Sequence, residues 1–133
     1  MSSYLLDTDW IVDILNGQEK AISTVLELVP AGLAVSIISY GELYEGAAFA
    51  RDPEPALSGL RHFLKGKAIL PLTQPIMERF ARIRGSLPRM VRQQIGDLDI
   101  LIAATCLEHH LTLLTRNRKD FLHIPNLKLF QAN

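Results

Sequence analysis

The sequence predicts an α/β fold in which a parallel β-sheet of about five strands is flanked by helices. Three observations carry that expectation. Short apolar runs of strand length alternate with segments of helical periodicity, the order that a parallel sheet with crossover helices requires. The run Leu33-Ala34-Val35-Ser36-Ile37-Ile38 is apolar nearly throughout rather than alternating, as expected of a strand covered on both faces. Asn16-Gly17, Pro30-Ala31-Gly32 and Asp52-Pro53-Glu54-Pro55 punctuate the chain where segments of different periodicity meet.

In order, Leu5 and Leu6 continue a first strand, and Asp7-Thr8-Asp9 supply side-chain oxygens suited to capping the helix implied by Ile11, Val12, Ile14 and Leu15. A second helix fits residues 19–29, with Ile22, Val25, Leu26 and Val29 on one face. The second strand follows at 33–38, after which Ser39 is expected to cap a helix to residue 50, with Ser39-x-x-Glu42 forming a capping box. A turn and helix start at 52–55 with its helix at 56–64, a strand at 68–70 and a helix at 75–87 come next. Residues 88–96 read as a polar, basic connection before the most apolar helix of the chain at 98–110. A fourth strand at 111–114, a helical turn at 118–122 and a fifth strand at 127–130 complete the pattern, without internal repeats or low-complexity segments.

With 133 residues and 48% hydrophobic content, the sequence fits a single domain spanning 1–133 with a substantial core. Mean hydropathy is +0.15, and no apolar stretch approaches the roughly 20 residues of a membrane span, so a soluble protein without membrane contact is expected. Met1-Ser2-Ser3 runs directly into a strand-like segment without a basic region and long apolar stretch, which predicts a cytoplasmic location. Cys106 is the only cysteine, so an intramolecular disulfide and a thiolate cluster are excluded, and it reads as a small buried hydrophobe. The 14 basic and 14 acidic residues cancel, which argues against a uniformly cationic nucleic-acid binder. Their distribution is uneven. Arg79, Arg82, Arg84, Arg89 and Arg92 fall in a stretch with no acid, a strip that either contacts a phosphate backbone or is simply solvated.

Chemistry is expected at the carboxyl ends of the strands, where parallel sheets hold their ligands near a reversal of strand order. Asp7 ends the first strand, Glu42 follows the second by about a turn, and Arg116-Asn117 follow the fourth. Asp99 opens the helix that leads into the fourth strand, and reaches the same edge only if the preceding loop returns there. Carboxylates bounding apolar runs in this way suggest convergence on one hard cation. Each also has a plainer role: Asp7 as an N-cap, Glu42 as half of the capping box, Asp99 as a partner of the helix dipole. Asp9 and Asp97 read first as caps, with a metal role through water as the alternative. His62, His109, His110 and His123 lack the spacing of a zinc site.

Leu5-Leu6-Asp7-Thr8-Asp9, Ser39-x-Gly41-Glu42-Leu43, Asp99-x-x-Ile102-Ala103-Ala104 and Leu113-Leu114-Thr115-Arg116-Asn117, in this order, resemble the motifs of the PIN-domain ribonucleases. Within that group, the length and Gly96-Asp97-x-Asp99-x-x-Ile102-Ala103-Ala104 are similar to the VapC toxins of bacterial toxin–antitoxin pairs. The resemblance implies a PIN-like sheet and a Mg²⁺- or Mn²⁺-dependent endoribonuclease. Asp7, Glu42 and Asp99 fall on the family's acidic motifs, Asp7 and Asp99 as direct ligands and Glu42 as the group that orients or deprotonates a water. Thr115 would hydrogen-bond a ligand carboxylate, unless it is merely a strand-end threonine. The chain departs from the pattern at Asn117, where the family commonly has a fourth acid. Asp120 is the nearest replacement, leaving one or two metals open.

The resemblance also implies a tRNA or ribosomal RNA substrate and a cognate antitoxin, and charge makes the arginine strip and Arg116 the expected contacts to the RNA backbone. Together with the high apolar content, the resemblance suggests a homodimer. Two other readings remain open at this point. Asp7-Thr8-Asp9 also resembles the nucleophile motif of haloacid-dehalogenase-type phosphotransferases, although Ile11 departs from that motif and Glu42 would have no role. A PIN-like binding module without catalysis is the second, and Asn117 is its motivation.

Overall fold

The computed structural model describes residues 2–131. Strands β1 (Tyr4–Leu6), β2 (Leu33–Ser36), β3 (Ala68–Leu70), β4 (Thr112–Leu114) and β5 (Lys128–Leu129) form one sheet in the order β3-β2-β1-β4-β5, with every neighbouring pair parallel. The helices are α1 (Thr8–Leu15), α2 (Glu19–Leu28), α3 (Ile37–Ala48), α4 (Pro53–Leu64), α5 (Gln74–Ser86), α6 (Arg89–Gln94), α7 (Asp97–His109) and α8 (Arg118–Phe121). The predicted α/β architecture is therefore present.

Alternation along the strands divides the core between the two faces of the sheet. Leu6, Leu33, Val35 and Leu114 pack with Trp10, Ile11, Ala21, Val25, Leu43 and Leu60 from α1 to α4. Leu5, Ala34 and Leu113 point the other way, against Ile102, Ala103 and Cys106 of α7 and Phe121 of α8. Because both faces are covered, the central strands are apolar at consecutive positions. Cys106 is buried in this second cluster, and burial pushes its thiol pKa up, in keeping with an inert hydrophobe.

The chain moves outward from β1 through β2 to β3, then returns to the other side of β1 to form β4 and β5. Strand order thus reverses at the β1–β4 pair, where Leu6 lies in register with Leu114 and the Asp7 N–H donates to the Leu114 carbonyl at 2.9 Å. The residues that follow these strands, Asp7 and Thr115, are therefore adjacent at the crevice edge. α7 packs against β4, which follows it after His110 closes the helix in the left-handed region at φ 55°. A helix that leads into a parallel strand in this way starts at the strand's carboxyl edge, so Asp99 in its first turn comes back to Asp7.

Two segments differ from expectation. β2 stops at Ser36 and α3 begins at Ile37, inside the run read as strand. Ser36 is the N-cap: its Oγ accepts the Ser39 N–H at 3.0 Å, so Ser39 is not the cap and Glu42 is in the second turn of α3 rather than in a capping box. Ile37 and Ile38 are β-branched and apolar, and a buried strand followed by a helix start reads as one run. The supposed connection at 88–96 contains α6, because Leu87, Val91 and Ile95 recur every four residues and pack with Ile100. α4 starts at Pro53, within the turn and helix start read at 52–55, since proline at a first helical position loses no hydrogen bond.

Candidate active site

Asp7 is the most constrained acid in the described structure. It is 5% exposed, its Oδ1 accepts the Thr8 N–H at 2.8 Å, and its Oδ2 accepts the Thr115 hydroxyl at 2.7 Å. Burial raises its pKa, the bonds from Thr115 and Thr8 pull it back, and the charges of Asp9 and Glu42 raise it further. Thr115 is itself buried; its bond to Asp7 ties the β4 end to the β1 end, and its Oγ1 also accepts the Asn117 N–H at 3.0 Å.

Asp7, Thr8, Asp9, Glu42, Asp99, Arg116 and Asn117 line one crevice of about 400 Å³. Asp99 is half-buried, and its pKa is raised to about 6, first by burial and then by repulsion from Asp7, Glu42 and Asp120. Glu42 is exposed but held: the Thr8 hydroxyl donates to its Oε1 at 2.7 Å and lies 2.9 Å from Ser39 Oγ. Asn117 uses its amide group as a donor, to Asp120 Oδ2 at 2.9 Å and to Asp99 Oδ2 at 3.4 Å. It bridges two carboxylates without adding a charge. Asp120 therefore approaches the crevice through Asn117 and does not line it.

Other candidates lie elsewhere. Asp97, a possible metal contact on sequence grounds, is exposed and accepts Arg84 Nε at 2.8 Å outside the crevice lining. Asp9 lines the crevice but is exposed. The five arginines are divided between two helices. Arg79, Arg82 and Arg84 are on α5, Arg89 and Arg92 on α6, and Arg79 is ion-paired with Glu108 of α7 at 2.6 Å. Arg116 does border the crevice; its Nε donates to Asp13 at 2.9 Å and its guanidinium lies 3.9 Å from the Trp10 ring centroid. Thr8, Ser39 and Trp10 were not assigned site roles from sequence. Thr8 lies inside the Asp7-Thr8-Asp9 motif, where a capping oxygen was the only role spacing could suggest.

The donor set is all oxygen, as a hard divalent cation requires. Among the described residues, no three His, Cys, Asp or Glu side chains close into a ready-made cage. The crevice has room for an ion together with several waters. Besides burial, repulsion from neighbouring carboxylates raises Asp99, and a cation would relieve it, so the oxygen-rich lining is chemically compatible with a divalent ion.

Comparison with known proteins agrees with this geometry. The PIN domain family matches residues 4–127. Ribonuclease VapC2 of Rickettsia felis is 31% identical over 128 residues, covering 95% of each chain, and Ribonuclease VapC19 of Mycobacterium tuberculosis is 34% identical over 127 residues, covering 93% of this chain and 96% of its own. Among solved structures, VapBC2 from Rickettsia felis bound to a DNA fragment from its promoter superposes with a TM-score of 0.85, at 27% identity over 98% of both chains. Family match, identity and superposition coincide on a chain whose acids gather where β1 and β4 end, and on these grounds it belongs to the PIN-domain family, among its VapC-type ribonucleases.

Proposed function

We propose that this single-domain protein is a Mg²⁺- or Mn²⁺-dependent endoribonuclease, the toxin of a toxin–antitoxin pair, acting in the cytoplasm on tRNA or ribosomal RNA. The observation that carries the reading is the crevice in which buried Asp7, half-buried Asp99 and tethered Glu42 meet. Names of relatives support it: they are ribonucleases, and the superposed structure is a complex of two components. Asp7 and Asp99 would hold the cation, which when bound supplies charge stabilisation at the scissile phosphate and acidifies a water.

This chain's residues do the rest. Thr115 and the Thr8 N–H fix both oxygens of Asp7, so the carboxylate needs no reorganisation on binding. Glu42 Oε1 is held by Thr8, leaving Oε2 to take a proton as water oxygen attacks phosphorus and the P–O bond to the leaving ribose oxygen breaks, that oxygen taking its proton from solvent. Arg116 places a positive charge at the crevice edge for the RNA strand. A partner antitoxin that inserts an arginine or lysine among Asp7, Glu42 and Asp99 would satisfy the same negative charge and exclude the metal. We include a homodimer in the proposal, motivated by exposed Met77, Met90 and Phe49 on a chain of high apolar content.

The test is to map new RNA 5′ ends in cells expressing the wild type or Asp7→Asn, with and without the product of the adjacent upstream reading frame. The expected result is growth arrest and discrete new ends with the wild type alone, suppressed by the upstream product. Wild-type protein that leaves growth and RNA unchanged would overturn the reading, and would favour a non-catalytic binding module.

A further inference from the structure

A second cavity, of about 310 Å³, lies beside the acid crevice, and Arg116 lines both. Its chemistry is opposite. Lys20, Arg116 and Arg118 contribute cations, and no acidic residue is among those that line it. The apolar wall is preorganised: Trp10 and Phe130 meet edge to face at 6.4 Å and 90°, and Phe130 in turn contacts Tyr4 at 6.0 Å.

The cations differ in how firmly they are held. Arg116 stacks on Trp10 and gives its Nε to Asp13, which fixes the guanidinium plane and leaves its Nη groups without an acceptor among the described residues. Arg118 is anchored by donating from Nη1 to the Phe130 carbonyl at 2.6 Å. Lys20, exposed on the first turn of α2, forms no ion pair among the described residues. Two placed guanidinium groups and an unpaired ammonium around one cavity suit an anion with several oxygens.

We propose that this cavity is a second phosphate site for the RNA strand, in which Lys20, Arg116 and Arg118 receive the backbone phosphate flanking the one cleaved at the acid crevice. The proposal rests on the ribonuclease reading. Arg116, in the shared wall, sets the spacing between the two phosphates, so the acids act on a bond whose neighbour is already held. Binding energy at a phosphate that does not react thereby positions the one that does.

The experiment measures binding of a labelled single-stranded RNA to the full chain by fluorescence anisotropy in EDTA across a salt series, alongside cleavage with Mn²⁺. Lys20→Gln keeps an exposed helical position filled by a good helix former, so the fold is undisturbed. It should flatten the log–log salt dependence by about 0.7 and raise KM with kcat nearly unchanged. Lys65→Gln, at the opposite edge of the sheet beside Gly32, is the control and should leave the slope as it is. Replacing single RNA phosphates with neutral methylphosphonates should identify one position, next to the cut, whose neutralisation weakens wild-type binding but weakens Lys20→Gln no further. Wild-type protein that binds and cuts RNA while Lys20→Gln keeps the full slope overturns the second site alone. Wild-type protein that neither binds nor cuts overturns this inference together with the ribonuclease reading.

Discussion

Thr115 Oγ1 donates to Asp7 Oδ2 at 2.7 Å across a separation of 108 residues, joining the ends of the two central strands at the point where strand order reverses. The bond links fold and chemistry, because the buried carboxylate depends on it both for stability and for orientation.

Thr115→Val, nearly equal in volume, removes that donor and leaves a buried carboxylate oxygen with one bond fewer. A loss of about 1–3 kcal/mol is expected at neutral pH, with a clear fall in RNA cleavage. The Asp7 pKa should move further up, since the Thr115 bond is what holds it down. Thr115→Ser keeps the hydroxyl and should restore most of both. Urea titrations with cleavage rates check this, and equal midpoints for valine and threonine would refute it.

The Asp99 pKa, raised from 3.8 to about 6, makes a signed prediction for the metal-free protein. A carboxyl that holds its proton more tightly when folded contributes stability that is lost as pH rises from the unfolded value through the folded one. Asp99→Asn has no such group. The variant should therefore gain stability relative to wild type as pH rises from about 4 to about 6, and the difference should stay level above that. Denaturation midpoints in EDTA at several pH values test it; a difference independent of pH would contradict the origin assigned to the shift.

Much of this was legible in the chain, and the exceptions have physical causes. Asp7 follows a strand of consecutive leucines, so its position at the sheet edge could be read directly, and Glu42 and Asp99 followed from the motif resemblance. The boundary at Ser36 was hidden because apolar β-branched residues serve both a buried strand and a helix start. α6 was hidden by its arginines and glutamines, which mask the spacing of Leu87, Val91 and Ile95. Partners were the least visible. That Arg84 reaches Asp97, or Asn117 bridges Asp99 and Asp120, depends on which elements meet in space, and local pattern carries none of that.

Asn117→Asp tests the bridge. It replaces a neutral donor between two carboxylates with a third negative charge, so the metal-free protein should lose stability and the metal concentration for half-maximal cleavage should fall. Asp120→Asn relieves repulsion at Asp99 and should shift that concentration upward. Metal titrations of both variants decide the matter, and unchanged curves would remove Asp120 and Asn117 from the site.

Arg79 and Arg84 are occupied by Glu108 and Asp97. Substituting either with glutamine should cost no more than about 1 kcal/mol, as partly exposed pairs do, and should leave the salt dependence of RNA binding unaltered. Arg82, Arg89 and Arg92 have no such partner among the described residues, and any contribution from the α5–α6 region should come from them. A slope flattened by Arg84→Gln would mean that its ion pair opens on the RNA.

The most direct measurement is cleavage of single-stranded RNA by purified protein stripped of metal, with Mg²⁺ or Mn²⁺ added back, for the wild type, Asp7→Asn and Asp99→Asn. Wild type should be inactive in EDTA and recover with either ion, while both variants stay inactive although folded. Wild-type cleavage that persists in excess EDTA, or full activity in Asp7→Asn, would contradict a metal-dependent site at Asp7 and Asp99.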